Sequence, residues 1–435
     1  MIAAAPGAVK RPDAFRDRRD TSRYNRLAMP TEIRIVTEEE RPRAQFILSY
    51  AFNEERTDDM HDRMRHLWAL GEQIALYEDG EMAAVLQVLN LRMFIHGASI
   101  PFGGISGVAC LPEHRRKGHV GRLLRRSLEM MREAGQPLSA LHTPHPALYR
   151  RYGWMFASTA VLHSFDPKQV QPVYAPPAGG RAHRIGEEEW PAIAELYERF
   201  ARPRNGYFER DEAWWRQGIF RRPYDERRQF NDVAIWSDGN GKASGYVVYR
   251  QPRIDHPIEP KSSLLVKELV ALGRDAHTGL LRYLLGHDLC REVSIWEPED
   301  SPLPLTVDEP WRIERKPYYG FMLRLVDVEK ALAARPPSAG APEGAFTIGL
   351  ADASAPWNQG AWRIECSGGR LSAAKAKGAA DISTDAAVFA AMYNGFLRTS
   401  DAVRSGLAEA GNANAIELAD RVLATDYRPY PSDEF

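Results

Sequence analysis

The sequence predicts an α+β or mixed α/β protein that is divided into several domains. Residues 107–154 have the pattern of a strand, a basic turn with glycine, an amphipathic helix and a second strand. Hairpin signals such as Asp79-Gly80 precede this unit, and residues 233–296 repeat its order of elements more weakly. A chain of 435 residues can bury several cores, so we expect about two to four domains.

The segment before this unit has the alternating apolar pattern of antiparallel strands, with one helix. The predicted elements are a strand at 33–36, a helix at 41–52, and strands at 73–77, 82–89, 91–95 and 99–102. These strands lead into the strand, turn, helix and strand unit. We expect a further strand at 159–165 to close this first core.

The basic turn after the strand of this unit is suited to holding a phosphate. Arg115, Arg116 and Lys117 bring positive charge, and Gly118 and Gly121 allow close approach to the backbone. The helix that follows presents its free N–H groups and its positive dipole end to an anion. A P-loop and a dinucleotide-binding loop are excluded, because neither glycine pattern is present. On the motif alone, a solvated basic helix start is an equal alternative.

The turn resembles the pyrophosphate loop of the GNAT acetyltransferases, commonly R-x-x-G-x-[GA]. Arg115 and Gly118 match it, whereas Val120 occupies the position of the usual small residue and Gly121 follows one place late. The motif LPEHRRKG, followed further on by LYRRYGW, resembles the Eis family (enhanced intracellular survival), a branch of GNAT enzymes with a tripartite chain. The resemblance covers nearly the whole chain after Met29. It implies tandem GNAT domains, the second one degenerate, followed by a sterol carrier protein-like domain.

The expected domains follow from this resemblance and from composition. They are a disordered leader at 1–28 without the apolar run of a signal peptide, an N-terminal GNAT catalytic domain at 29–166, a Pro-, Ala- and Gly-rich linker at 167–184, a second GNAT-like domain at 185–317, and a sterol carrier protein-like domain at 318–435. The corresponding loop of the second GNAT-like domain, LGRDAHTG, lacks the cluster of cations seen in the basic turn, so we expect no cofactor there. Met29 is a candidate natural start.

The last segment is predicted to contain three helices and three short strands. A helix follows Asp327 at its cap position; strands are expected at 346–350, 362–366 and 369–374, and helices at 381–394 and 413–425. For this domain we favour packing and assembly over lipid carriage, because no lipid pocket is visible in the sequence.

The resemblance implies acetyl-CoA as co-substrate. The strand before the turn is expected to bond the pantetheine along its edge, the turn to hold the pyrophosphate, and the bend after the next strand to touch the coenzyme. The predicted acetyl-CoA-binding residues are Val108, Ala109, Cys110, Arg115, Arg116, Lys117, Gly118, His119, Val120, Gly121, Pro144 and His145. The spacing of the histidines and cysteines suggests no metal site.

Two residues are predicted to be catalytic by the resemblance. Tyr149 occupies the tyrosine position that Eis proteins use to protonate the coenzyme thiolate, and a phenol is a suitable proton donor. Tyr152 is the competitor, at a position where the family has a packing aromatic. The α-carboxylate of the C-terminal Phe435 is the predicted base, because Eis proteins insert this carboxylate into the first domain. A frayed, functionless terminus is the ordinary alternative.

The sequence therefore predicts an acetyl-CoA-dependent N-acetyltransferase that transfers acetyl directly to an amine of an aminoglycoside, polyamine or lysine-type substrate. The alternatives are a lipid or sterol carrier with relic GNAT domains, and an acyltransferase that uses a longer acyl-CoA. Two interpretations apply to the acidic residues: they attract a polycation, or they form solvated surface. The residues concerned are those at 54–59, Asp433 and Glu434.

The composition limits the partners of the protein. A formal net charge of -1 gives no general attraction to nucleic acid or to acidic membranes. We expect no membrane span, because no sufficiently long apolar run occurs. Three scattered cysteines, Cys110, Cys290 and Cys366, fit reduced structural thiols in a cytoplasmic protein. The family resemblance implies a homo-oligomer, specifically a hexamer.

Overall fold

The computed structural model describes residues 31–53, 68–176, 178–221, 230–254 and 261–435. The predicted leader at 1–28 and the acidic stretch at 54–59 lie outside these residues. The elements are β1 (Thr31–Ile35), α1 (Arg41–Phe52), β2 (Gly71–Glu78), β3 (Glu81–Ile95), β4 (Ala98–Cys110), α2 (His119–Glu133), β5 (Leu138–Leu141), α3 (Pro146–Arg150), β6 (Met155–Phe156), β7 (Thr159–Phe165), β8 (Arg181–Ile185), α4 (Trp190–Ala201), α5 (Glu212–Trp214) with a π-helical continuation (Trp215–Phe220), β9 (Asp232–Ser237), β10 (Ala243–Arg250), β11 (Arg253–Ile254), β12 (Lys261–Ala271), α6 (Arg274–Leu285), β13 (Cys290–Glu297), β14 (Glu314–Tyr319), β15 (Met322–Leu325), α7 (Val328–Ala334), β16 (Gly344–Ala351), β17 (Gly360–Ser367), β18 (Arg370–Lys375), β19 (Ile382–Asp385), α8 (Ala386–Tyr393), α9 (Thr399–Arg404), β20 (Glu409–Ala410) and α10 (Ala413–Val422).

The first sheet has the strand order β1-β2-β3-β4-β5-β15-β6 and is covered by helices on both faces. On β2, Ile74 and Leu76 belong to the same core as α2, whereas Ala75 packs with Ile47 and Leu48 of α1. This division follows from the alternation of side chains along a strand. The amphipathic helix predicted after the basic turn is confirmed as α2.

The second sheet has the order β14-β7-β13-β12-β10-β9-β8, with β11 beside β12. The prediction that residues 159–165 close the first core is wrong, because β7 pairs with β13 and β14 in this second sheet. The predicted linker at 167–184 overlaps β8, which pairs with β9 from Arg181 onward.

In exchange, β15 lies in the first sheet, between β5 and β6. The expected third segment, at 318–435, therefore includes the last two residues of β14 and all of β15, strands that belong to the two earlier sheets. All four residues of β15 are buried, so this strand needs neighbours on both edges. The two sheets satisfy their backbone groups by exchanging strands that are distant in sequence.

The third sheet has the order β18-β17-β16-β19-β20. Asp327 caps α7 as predicted, and its side chain accepts from the Lys330 N–H at 3.1 Å. The helix expected at 381–394 is shorter, because residues 382–385 form β19 and Asp385 caps α8. Its Phe389 packs in one continuous core with residues of the first sheet. Among the described residues, the helices are too short or too polar to cross a membrane.

Candidate active site

β4 and β5 diverge near the middle of the first sheet. They pair in parallel from Phe102 to Gly104 of β4, opposite residues 138–140, whereas β4 continues beside β3 as far as Cys110. Gly107 has φ +54°, and the β3 and β4 register shifts beside it, as expected for a β-bulge. Among the described strands, residues 105–110 of β4 therefore have a neighbour on the β3 side only. The predicted residues Val108, Ala109 and Cys110 lie on this splayed section, which fits an extended pantetheine chain.

The basic turn leads from the end of β4 into α2 through left-handed backbone at Arg116 (φ +65°) and Gly118 (φ +85°). The first intrahelical bond runs from the Arg122 N–H to the Gly118 carbonyl at 3.1 Å. The N–H groups of residues 119–121 precede that bond and have no acceptor within the helix. These groups, together with the Arg115 and Arg116 charges, fit the pyrophosphate of acetyl-CoA.

Glu78 ties this turn to β2. Its Oε2 accepts from Lys117 Nζ at 2.6 Å and lies 2.6 Å from His114 Nδ1, while its Oε1 lies 3.7 Å from His119 Nε2. These bonds, that of Lys117 first, lower the pKa of Glu78 to about 2. Part of the Lys117 charge is therefore neutralised by Glu78 and not directed at a ligand.

The same three groups, Glu78, His114 and His119, could together hold a metal ion, since their ligand atoms lie within 4.8 Å of one another. The sequence spacing did not suggest this set, because Glu78 comes from a different strand. The Lys117 ammonium already occupies the shared carboxylate oxygen. The observed contacts are those of a hydrogen-bonded anchor for the turn.

Four further predicted residues have distinct surroundings. Burial raises the pKa of the Cys110 thiol, which fits a structural residue and not a nucleophile. A Cβ at Gly121 would lie 1.9 Å from the Tyr152 hydroxyl, so this glycine permits Tyr152 to pack on α2. Pro144 and His145 are exposed at the start of α3, after the point where β5 ends.

Tyr149 lies on α3 and is buried, with 7% of its surface exposed. Its ring packs edge-on against Trp154, with centroids 6.4 Å apart. Burial raises the pKa of Tyr149 to about 12, so the phenol keeps its proton at neutral pH. A neutral phenol is the form that a general acid requires.

The C-terminal residue lies where β4 and β5 separate. A Cβ on Gly104, the last residue of β4 that pairs with β5, would meet Phe435 Cε2 at 2.7 Å. The Phe435 ring also contacts Phe102, His142 and Phe208, with centroids 6.0, 5.6 and 5.6 Å away. The tail thus reaches from the third domain into the first, as the family resemblance led us to expect.

The tail is held by a buried charged cluster that the sequence reasoning missed. Asp433 accepts from Arg210 Nε at 3.1 Å and from Trp214 Nε1 at 2.7 Å. Arg210 also pairs with Glu268, at 2.5 and 3.1 Å. Burial opposes ionisation of Asp433, but the charge of Arg210 prevails and lowers its pKa. Asp433 is therefore neither solvated surface nor available to attract a polycation. The spacing of Arg210 and Asp433, more than 200 residues, gives no local signal.

His142 is a second group beside the tail. Its ring packs against Phe435 and Phe321, and its Nε2 has no hydrogen-bond partner among the described residues. Burial lowers the pKa of His142, so the imidazole is neutral at pH 7 and can accept a proton. No local motif distinguishes it from the other histidines.

A cavity of about 600 Å³ opens beside the tail, between the first and second sheets. Its walls come from distant parts of the chain: His142 at the end of β5, Trp214 of α5, Lys267 of β12 and residues 430–434 of the tail. A cavity of this size fits a small-molecule acceptor or a single side chain.

Comparison with known proteins identifies the parts of this chain. Two family models described as acetyltransferase (GNAT) domain match residues 32–157 and 206–325, and a sterol carrier protein domain matches residues 328–432. N-acetyltransferase Eis of Mycobacterium tuberculosis is 26% identical over 370 residues, which is 82% of this chain and 86% of that protein. An uncharacterized N-acetyltransferase of Streptomyces avermitilis is 25% identical over 341 residues, 76% of this chain and 82% of that protein.

Solved structures show the same architecture. The crystal structure of Eis1 from Mycobacterium abscessus superposes with a TM-score of 0.77 and 25% identity, over 93% of this chain and all of that one. A GCN5-related N-acetyltransferase from Anabaena variabilis superposes with a TM-score of 0.83 at 22% identity, with the same coverage, which shows the shared fold.

Two GNAT domains followed by a sterol carrier protein-like domain define this chain as an acetyltransferase. It is an acetyltransferase of the GNAT and Eis type, which confirms the resemblance noted in the sequence. The GNAT fold implies acetyl-CoA as its co-substrate.

Proposed function

We propose that this protein transfers the acetyl group of acetyl-CoA directly to a primary amine of an aminoglycoside, polyamine or lysine-type substrate. The observation that carries the proposal is the position of Phe435 on Gly104, where β4 and β5 separate. The splayed β4 edge and the basic turn supply a donor site on one side of this point. The cavity beside the tail supplies an acceptor site on the other.

In the proposed reaction the acceptor nitrogen attacks the thioester carbonyl carbon. The α-carboxylate of Phe435 accepts the proton that the ammonium loses before attack, and Tyr149 donates its phenolic proton to the leaving thiolate. The second proton, which the nitrogen loses as the amide forms, restores the Tyr149 phenol, and the carboxylate returns its proton to solvent. An amide bond forms, the carbon–sulfur bond breaks, and the products are the acetylated amine and free coenzyme A. His142 lies against the Phe435 ring, where its neutral imidazole can position the tail and relay a proton.

The experiment measures thiol release from acetyl-CoA with a panel of polyamines, aminoglycosides and lysine peptides. The native protein is compared with a form extended by one glycine after Phe435, and Tyr149→Phe with the matched control Tyr152→Phe. We expect the extension and Tyr149→Phe to lower kcat by about 100-fold or more, since general acid–base catalysis contributes that much, and Tyr152→Phe to have little effect.

Unchanged activity on extension would contradict the role of the carboxylate while keeping the enzyme. Absence of thiol release with every amine, with coenzyme binding confirmed by calorimetry, would contradict the amine acceptor. A longer acyl-CoA in the same assay tests the alternative donor. The observed cavity lies between the first two sheets, and so does not favour the lipid-carrier interpretation. The hexamer and the cytoplasmic location stay predictions; light scattering tests the first.

A further inference from the structure

We infer that the third domain positions the general acid: its helix α8 holds the short helix α3 in place, and Arg150 and Asp385 are positioning residues for the transfer step. The inference rests on the proposed function, because it assigns Tyr149 the role given there. Both residues act through Tyr149, which Arg150 follows directly in the sequence. The third domain thereby has a second task, besides the delivery of the C-terminal tail.

Helix α3 is too short to be stable by itself. It spans Pro146–Arg150, little more than one turn, and isolated helices of this length do not persist in water. Its N-cap residue, His145, is exposed and forms no capping bond through its side chain among the described residues. The position of Tyr149 therefore depends on contacts of α3 with the rest of the protein.

An ion pair joins the C-terminal end of α3 to the third domain. The Arg150 guanidinium donates two parallel bonds to the Asp385 carboxylate, from Nη1 to Oδ1 at 3.1 Å and from Nη2 to Oδ2 at 2.8 Å. Two such bonds fix the orientation of the arginine as well as its distance. Asp385 is itself held, because its Oδ1 also accepts from the N–H groups of Ala387 and Val388 and so caps α8. All residues of α8 are buried, so the carboxylate is presented from a well-packed helix.

Helix α8 continues along the chain that follows α3. A Cβ on Gly153 would lie 3.6 Å from the Ala386 Cβ, so the first turn of α8 packs on the turn after α3. At the other end of α8, Asn394 Nδ2 donates to the Ala157 carbonyl at 2.8 Å. Contacts at both ends of α8 therefore hold this segment in place.

A buried arginine provides a second link to the same turn. Arg324 of β15 donates to the Tyr152 carbonyl through Nη1, and to both oxygens of Asp352 through Nη2 at 2.8 Å. A Cβ on Gly153 would overlap Arg324 Nη1, so glycine is required there for the guanidinium to fit. Asp352, like Asp385, belongs to the third domain. Both links therefore run from an aspartate of that domain, through an arginine, to the chain around Tyr149.

The pair of Arg150 and Asp385 is better suited to positioning than to stabilising the fold. Their side chains are 36% and 41% exposed, and ion pairs with this exposure contribute little to the free energy of unfolding. Loss of the pair should therefore leave the protein folded but allow α3 to move. A displacement of a reacting group by about 1 Å is sufficient to lower a transfer rate.

The test compares the native protein with Arg150→Met, Arg150→Lys, Asp385→Asn and the double variant of Arg150→Met and Asp385→Asn. Asparagine keeps the cap of α8, because Asn and Asp are equally good N-cap residues, but it removes the charge that faces Arg150. Arg404→Met is the control, since Arg404 pairs with Asp401 on the surface of the same domain at 2.7 Å. Thiol release gives kcat and KM, and urea gives the free energy of unfolding. Hydrogen exchange of the peptide at 146–154 measures the opening of α3 without turnover.

We expect Arg150→Met and Asp385→Asn each to lower kcat by about 5-fold, as for the loss of a contact of about 1 kcal/mol. KM for acetyl-CoA and the free energy of unfolding should stay near native, and exchange at α3 should become faster. The double variant should match the single variants, because all three lack the same contact. Arg150→Lys should lie between Arg150→Met and native, since lysine keeps the charge but not the parallel bonds. Arg404→Met should be native in every measurement.

The dependence on Tyr149 separates positioning from a general structural effect. With Tyr149→Phe no phenol remains to be positioned, so adding Arg150→Met should lower kcat no further. Native kcat in Arg150→Met and Asp385→Asn, or the same further loss on top of Tyr149→Phe, would overturn the inference. A native kcat in Tyr149→Phe would instead contradict the proposed acid, and the inference with it. If thiol release fails with every amine, the proposed function fails, whereas faster exchange at α3 would still support the contact and native exchange would overturn it.

Discussion

The contact between the C-terminal tail and the second domain can be tested by replacing Asp433 with Asn. The substitution keeps the size of the side chain and its oxygen acceptor for Trp214 Nε1, but removes the charged partner of Arg210. Arg210 keeps its two bonds to Glu268. The loss is therefore limited to one charge-assisted contact, which corresponds to about 1.5–3 kcal/mol.

This loss raises the population in which the C-terminus is released by about 10- to 150-fold. Carboxypeptidase removes Phe435 only from the released form, so its cleavage rate follows that population when redocking is faster than cleavage. We expect the rate for Asp433→Asn to rise by the same factor, measured by mass spectrometry of the intact chain. Asp401→Asn is the control, because Asp401 pairs with Arg404 on the surface at 2.7 Å. Equal cleavage rates in the native protein and Asp433→Asn would refute the reasoning.

Three further changes test the packing and the buried charges. Gly104→Val should displace the Phe435 ring, because the added Cβ would meet it at 2.7 Å, and lower the rate of thiol release by about 100-fold. Arg324→Met leaves Asp352 buried without its partner at 2.8 Å and should lower the free energy of unfolding, measured in urea, by about 3–5 kcal/mol. Burial raises the pKa of Glu297 from 4.5 to about 7. The contribution of this carboxyl group to the stability of the folded protein is therefore complete below pH 4.5, and it is lost as the pH rises through 7 and the buried group ionises. Glu297→Gln should flatten the dependence of stability on pH in that window.

Two of these changes have a matched control. Gly186→Val adds the same side chain where no atom lies within 4 Å of the added Cβ, and equal activity losses in both variants would contradict the tail contact. Glu299→Gln alters an exposed carboxylate and should keep the native dependence of stability on pH. The native dependence in Glu297→Gln as well would contradict the raised pKa of Glu297. A stability of Arg324→Met within about 0.5 kcal/mol of native would contradict the ion pair's role.

Local sequence signals were sufficient for the elements around the donor site. The apolar stripe of α2, the glycines of the basic turn and the buried strand β5 follow from periodicity and turn chemistry, and the structure shows these elements. Asp327 was likewise recognisable as a helix cap. These features depend on interactions between residues that are near in sequence.

The exchange of β7 and β15 between the two GNAT sheets was not predictable in the same way. Both strands are largely buried, and a buried pattern does not specify which sheet a strand joins. Which sheet it joins depends on the strands that need a partner for their backbone groups, and these lie far away in sequence. The predicted place of β7 in the first sheet is therefore wrong, and β15, which was expected in the third segment, lies in the first sheet.

The sequence by itself determined the elements, their order and, through its motifs, the acetyl donor site with Tyr149 and the terminal Phe435 as candidates. Only the tertiary structure decided which charges are available. Asp433 pairs with a buried arginine, and Lys117 pairs with Glu78. The reason is physical: the free energy of a charge depends on its burial and its nearest partners, and folding brings those partners from distant strands.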